Sequence, residues 1–225
     1  MSRGILSIYW GDESKLPLAR LKASVQRFHP ELKHEIIKVD APTGDLASLN
    51  KKASMFELSP FDETLFLDID TVVMGNLDFG FRKAAQFGLA MSICEAPWAR
   101  RYPRIFVGDE VEYNTGVVFF SRKAEPLFCE WKGLALTADT TLVGANDGKV
   151  YEVPVQDQGS FALAVEKTGF HPFVLPLNWN FRPLWHGSFF GPIKVWHDYA
   201  DPPPFFDELN TYYSKKDSVI QFHRG

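Results

Sequence analysis

Between residues 5 and 69 the chain alternates short β-prone runs with helical ones, and that alternation limits the fold more than any other feature. The first run, Ile5-Leu6-Ser7-Ile8-Tyr9-Trp10, is ended by Gly11-Asp12 and reads as a buried strand leaving into a loop. Pro17 suits a first helical turn, and Leu18, Leu21, Val25 and Phe28 follow at helical spacing before Pro30. A second strand is predicted over Glu35 to Val39, then a helix from Ala47 to Leu58. A third strand runs from Thr64 to Ile69. Such alternation describes a largely parallel sheet covered by helices, with its ligand beyond the carboxyl ends of the strands. Further strands are predicted over residues 88–94 and 113–121, with helices from Pro126 to Leu136 and Gln158 to Lys167. Pro202-Pro203-Pro204 reads as a stiff elbow before a last short helix.

A chain of 225 residues is expected to form one elaborated domain, residues 1–225, and 45% hydrophobic with 23% charged residues is too apolar for disorder. The formal net charge of -4 provides no global field for gathering nucleic acid, so no nucleic-acid partner is expected. Cys94 and Cys129 are isolated thiols without the spacing of a metal or redox motif. No run approaches the ~18–20 apolar residues of a membrane-spanning helix. The apolar stretch before Asp12 is too short for a secretory leader, and a cytoplasmic protein is expected. The 15% aromatic content is high; such side chains fill cores and also build stacking surfaces for sugars or bases.

Asp68 and Asp70 carry the sharpest chemical signal. An isolated Asp-x-Asp triplet ordinarily solvates a turn. Here an apolar strand, Leu65-Phe66-Leu67, precedes the first acid and Thr71-Val72-Val73 follows the second. At a strand end the chain bends, and both carboxylates can reach one hard divalent ion, Mg or Mn, of the kind that shares its coordination with phosphate oxygens. Two enzyme classes use such a pair. The phosphoaspartate phosphatases read Asp-x-Asp-x-Thr on their first strand; here Thr71 stands one place early, the strand is the third, and a downstream acidic pair is lacking.

The other class is the nucleotide-sugar glycosyltransferases. Residues Ser59 to Val73 resemble the DxD segment of the GT-A fold transferases, and most closely that of the glycogenin and lipopolysaccharide-galactosyltransferase family (glycosyltransferase family eight). Other similar segments follow in the family's order. Ile5 to Gly11 resembles its first nucleotide-binding strand, and Lys52 lies where it has a basic nucleotide contact. Tyr113-Asn114-Thr115-Gly116 resembles its Asn-Ser/Thr-Gly strand, Gln156-Asp157-Gln158 its Asp-Gln helix start, and Leu175 to Asn180 its Leu-Pro-x-x-Trp-Asn segment. The chain departs from the pattern near its end. Ile193 to His197 is similar to the strand leading into the family's metal-binding histidine, but the Gly-Lys-Pro-Trp part is replaced by Asp198 to Pro203. His197 is preferred for its distance from the Trp-Asn segment, with His223 as rival, and Lys194, Arg182 or Arg224 could replace the missing lysine.

The resemblance implies an α/β, GT-A type single domain, with a mixed twisted sheet flanked by helices. It implies a metal-dependent transfer of a hexosyl or pentosyl group from a nucleotide diphosphate donor, UDP-linked by expectation, to the hydroxyl of a glycan or other acceptor. Asp68, Asp70 and His197 would hold Mn or Mg; Tyr9, Gly11 and Lys52 would meet the nucleotide. Asn114 and Asp157 would hold donor-sugar hydroxyls, with Gln158 near the anomeric centre, and the configuration would be retained. Without the resemblance, Asn114 is a turn entering a strand, Asp157-Gln158 a helix start and Lys52 a solvated lysine. Arg100, Arg101 and Arg104 read as a solvated loop or an acceptor or phosphate contact, and Trp179, Trp185 and Trp196 as core or as walls of an acceptor cleft. A non-catalytic nucleotide-sugar binder on the same fold is the alternative.

Overall fold

The computed structural model describes residues 1–11, 14–40, 51–94, 111–153, 157–216 and 221–223. Strand β1 (Arg3–Tyr9) leads through helix α1 (Lys15–Phe28) to β2 (Lys33–Lys38). Residues 51–53 are helical, and after a turn at Ser54 a short helix α2 (Met55–Leu58) precedes β3 (Glu63–Leu67). Next come β4 (Thr71–Val73), α3 (Asp78–Phe87), β5 (Leu89–Ile93), β6 (Tyr113–Ser121) and α4 (Glu125–Thr137). The remainder is a hairpin of β7 (Leu142–Asn146) and β8 (Lys149–Val153), α5 (Asp157–Thr168), β9 (Phe173–Val174), β10 (Ser188–Phe190), β11 (Val195–His197), α6 (Pro204–Lys216) and β12 (Gln221–His223).

Among the described residues, six strands form the central sheet in the order β2-β1-β3-β6-β5-β9. β1 pairs in parallel with β2 and β3, β6 runs antiparallel to both β3 and β5, and β9 returns parallel to β5. The sheet is therefore mixed, and alternate residues of its central strands feed two cores. Leu6, Ile8, Phe66, Val118 and Phe120 join Phe56 of α2, Trp131 of α4 and Phe161 of α5. Their neighbours Ile5, Leu65, Leu67, Val117 and Phe119 join Leu21 of α1 and Phe81 of α3 on the other face. Period-two alternation with apolar side chains on both sides requires a helical layer on each face. Much of the aromatic content lies here: Phe128, Trp131 and Phe161 pack edge-on or tilted at centroid distances of 5.0–6.5 Å.

Two sequence expectations change. Residues 47–50 of the expected 47–58 helix lie outside the described residues, and the rest is broken at Ser54. The third strand stops at Leu67 instead of Ile69, because the Asp68 carbonyl accepts both the N–H and the hydroxyl of Thr71 and closes a turn. Residues 71–73 then form a strand of their own, pairing with β11 outside the main sheet. Among the described residues no helix is long and apolar enough to cross a membrane.

Candidate metal and donor site

The two acids lie just past the carboxyl end of β3, in the turn joining it to β4. The Asp68 N–H donates to the Gly116 carbonyl of β6 at 2.9 Å, which fixes the turn to the sheet. Antiparallel pairing of β4 with β11 sets Thr71 opposite His197, and the Asp198 N–H donates to the Asp70 carbonyl at 3.0 Å. Asp68, Asp70 and His197 thereby each offer one ligand atom, all within 4.8 Å of one another. His197 Nε2 stands 3.4 Å from Asp70 Oδ1 and 3.9 Å from Asp68 Oδ2. Arg20 of α1 ties the two limbs together, donating to the backbone carbonyls of Asp70, Asp198 and Tyr199.

The donor set suits a hard divalent cation with one imidazole and two carboxylates. Gly116 keeps the space: a Cβ there would overlap the His197 ring and come 2.8 Å from Asp68 Oδ2. The electrostatics favour a cation as well. Burial pushes the Asp68 carboxyl up from its ordinary range, Lys52 counters, and Asp70 adds to the rise. Burial also acts against ionised Asp70, but the hydrogen bond and charge of a protonated His197, with the charge of Lys52 and a backbone hydrogen bond, outweigh it and bring its pKa down.

Lys52 Nζ sits 2.8 Å from Asp68 Oδ2 and 2.9 Å from Asp157 Oδ2. Asp157 opens α5, where it also takes the Thr115 hydroxyl at 2.5 Å and the Gln158 N–H at 3.0 Å. Burial opposes its charge, yet Lys52 and these donors hold its pKa below the usual carboxylate range. Asn114 of β6 donates through Nδ2 to Gln158 Oε1 at 3.2 Å. A cavity of about 250 Å³ opens against this group, walled by Tyr9, Trp10, Lys52, Phe66, Asp68 and Asp70 among others.

No family model matches the chain by sequence, and neither does any curated protein. Solved structures do. Mouse xyloside xylosyltransferase 1 in its apo form superposes with a TM-score of 0.59 at 17% identity, covering 90% of this chain and 99% of that one. The galactosyltransferase LgtC in complex with donor and acceptor sugar analogues gives 0.56 at 14% identity, over 93% and 95% of the two chains. A glycosyltransferase involved in glycosylation of the major capsid of PBCV-1 gives 0.55 at 16%, over 94% and 100%. The fold is that of the GT-A glycosyltransferases. In this GT-A fold the acids stand where an α/β sheet holds its ligand, beyond the carboxyl ends of the parallel strands β1 and β3.

Other residues singled out by sequence separate clearly. Tyr9 lines the cavity, while Gly11, with φ of 73°, turns the chain out of β1. His223 occupies a register position on β12 opposite Ser188, in a different two-stranded pairing from that of His197. Arg182 lines a second cavity of about 140 Å³ with Asp70, Trp185, His197, Asp198 and Tyr199. Lys194 points elsewhere, its Nζ 5.8 Å from the Trp179 ring, and burial lowers its pKa. Trp179 and Trp196 are buried in aromatic clusters, which leaves Trp185 as the cavity wall among the three. Gln156, Arg100, Arg101, Arg104 and Arg224 lie outside the described residues. Arg20 carries no local signal as a helical arginine, and Asn180, which closes the Leu-Pro-x-x-Trp-Asn segment, was given no role of its own by the sequence.

Proposed function

We propose that this protein transfers a sugar from a nucleotide diphosphate donor, UDP-linked, to an acceptor hydroxyl, using Mn or Mg, with retention of configuration. One observation carries the reading: the Asp68–Asp70–His197 cluster lies where two cavities meet, Asp70 and Tyr199 lining both. A transferase needs two substrates brought to one centre, whereas a simple binder needs one site. The larger cavity, floored by Lys52 and the acids, suits the donor. The smaller one, with Trp185 and Arg182 on its walls, suits a polar ring. The structural likeness to a xylosyltransferase and to a galactosyltransferase crystallised with donor and acceptor analogues supports the assignment.

When bound, a divalent ion would neutralise a diphosphate and stabilise it as a leaving group. The chain's own residues would do the rest. Lys52, held charged between Asp68 and Asp157, provides a second positive centre beside the phosphates, most useful as negative charge develops there. Asn114 and Asp157 would hold donor-sugar hydroxyls, and Gln158 would stand near the anomeric carbon. Asp157 is engaged by Lys52, Thr115 and the Gln158 N–H, so its carboxylate is poorly disposed to act as a nucleophile. That favours front-face attack in which the departing phosphate oxygen takes the acceptor proton.

Thermal denaturation with a panel of nucleotides, with and without Mn, tests the reading. UDP and Mn together raise Tm through preferential binding to the native state, and Asp70→Asn removes the rise. Stabilisation by no nucleoside diphosphate would sink it. Stabilisation without transfer or hydrolysis of any donor would leave a binding protein on this fold.

A further inference from the structure

His197 can serve a cation only through Nε2, the ring nitrogen that faces Asp70 and Asp68. A neutral imidazole carries one N–H, and the nitrogen bearing it is decided by the hydrogen bond the other makes. His197 Nδ1 lies 2.8 Å from Asn180 Oδ1. The direction of that bond is fixed further along the chain of contacts. The Gly116 main-chain N–H, which can only donate, lies 3.0 Å from Asn114 Oδ1. Asn114 therefore presents its carbonyl oxygen here and turns its Nδ2 to Gln158. Asn180, 1% exposed, meets that same Asn114 oxygen at 2.8 Å, so the group it offers there must be its amide nitrogen. Its oxygen is then the atom facing Nδ1, and Nδ1 must donate. In the neutral ring Nε2 is then left with a bare lone pair facing the two carboxylates, and only the protonated ring donates from Nε2 to Asp70.

The backbone holds this relay in place. The Lys194 N–H donates to Asn178, the Phe181 N–H to Val195 and the His197 N–H to Phe181, at 2.7–2.8 Å. Asn180 and His197 thus ride on one short ladder, with the Asn114 amide as third point of contact.

We propose that Asn180 is the positioning residue of the metal site: polarised by the Gly116 N–H through Asn114, it holds His197 in the Nδ1–H tautomer that offers Nε2 to a divalent cation. The inference rests on reading Asp68, Asp70 and His197 as metal ligands. Asn180 itself touches neither cation nor substrate.

The test begins with the metal-free wild-type protein, labelled with ¹⁵N. Its long-range imidazole correlations, assigned to His197 by their loss in His197→Gln and recorded at a pH where the ring is neutral, show a protonated Nδ1 and an unprotonated Nε2. The opposite pattern overturns the proposal with no variant needed. Asn180→Ala shifts His197 towards the Nε2–H form and weakens Mn binding, followed by the resonance of free Mn, by about 10- to 100-fold. Asn180→Asp keeps an acceptor opposite Nδ1, retains the Nδ1–H pattern and binds Mn more tightly than Asn180→Ala. A purely structural role would damage both variants alike and leave their tautomers the same. A folded Asn180→Ala with wild-type tautomer and wild-type Kd also overturns the proposal. If the wild-type protein takes up no Mn, the metal reading fails by itself, while the imidazole spectrum still decides whether Asn180 sets the tautomer.

Discussion

Lys52 and His197 face the same carboxylate oxygen, Asp68 Oδ2, at 2.8 Å and 3.9 Å. In this state the ammonium group is the counter-cation of the corner. Burial disfavours the charged lysine, but Asp157 and Asp68 more than offset it and hold its pKa above the ordinary lysine range. A cation arriving on Asp68 therefore shares an oxygen with Lys52 rather than meeting a free carboxylate.

Removing that charge without removing the packing separates the two roles. Lys52→Met leaves Asp68 and Asp157 facing each other's neighbourhood without a cation. Breaking a buried pair costs about 3–5 kcal/mol, reduced here to roughly 2–3 because the partners retain some solvent contact. Urea denaturation reads that loss. Mn then restores part of it, so the Mn-induced rise in Tm is larger in Lys52→Met than in the wild-type protein. Equal rises would show that Lys52 and the ion do not share Asp68.

Gly116 yields a second prediction. Its backbone is ordinary strand, so conformational freedom is not what the glycine supplies. Space is: a Cβ would run into the His197 ring and the Asp68 carboxylate. Gly116→Ala is expected to keep the sheet, at an overpacking cost of about 1–3 kcal/mol. Mn affinity, measured by titration, falls by at least about 10-fold because His197 is pushed off its position. Wild-type affinity in the folded variant would mean that the ring has room to retreat and that the corner is not set by this contact.

The parts of this site that the sequence disclosed are those written in local chemistry. Asp68-Ile69-Asp70 after an apolar strand is short enough to be read within one segment, whereas Asn114-Thr115-Gly116, inside β6, stood out only through the resemblance to the family. Ile69 misled the strand boundary because its hydrophobicity continues the pattern, whereas the end is decided by the Asp68 carbonyl turning back onto Thr71. Helix α3 was not among the expected elements; its Gly80 leaves room for the Phe119 ring, 2.5 Å from where a Cβ would be. That His197 stands beside the two acids depends on the pairing of two three-residue strands, β4 and β11, which no periodicity announces. Asn180 and Arg20 act through the direction of hydrogen bonds between distant segments, and that information exists only once the segments are folded together.

Trp185 supplies a test that separates the two cavities. It walls the smaller one and is absent from the walls of the larger. Trp185→Ala is expected to raise the acceptor KM by about 10-fold, the size of one lost aromatic contact, with the donor KM and the slow hydrolysis of donor unchanged. Initial rates with each substrate varied in turn make the distinction. A change confined to the donor KM would reverse the assignment of the cavities.

The last prediction concerns stability rather than chemistry, and its sign follows from His34. Ser7 of β1 donates its hydroxyl to the Leu67 carbonyl at 2.8 Å, immediately before Asp68. His34 Nε2, 3.0 Å from the same hydroxyl oxygen, must then act as donor. Burial, with the charge of Lys22 adding to it against Glu35, lowers the His34 pKa to about 4. The unfolded chain protonates this histidine near its ordinary value of about 6.5. The unfolded state therefore binds the proton more readily, and the native protein loses stability as pH falls from about 6.5 to about 4, with the full contribution present above that window. At about 1.4 kcal/mol per pKa unit, the loss from this one group is about 3 kcal/mol. His34→Gln keeps a donor to Ser7 but cannot take up the proton. Urea unfolding across that range is expected to show the wild-type protein falling more steeply than His34→Gln, the curves separating below about pH 6.5. Parallel curves would mean that His34 is as easily protonated in the fold as outside it.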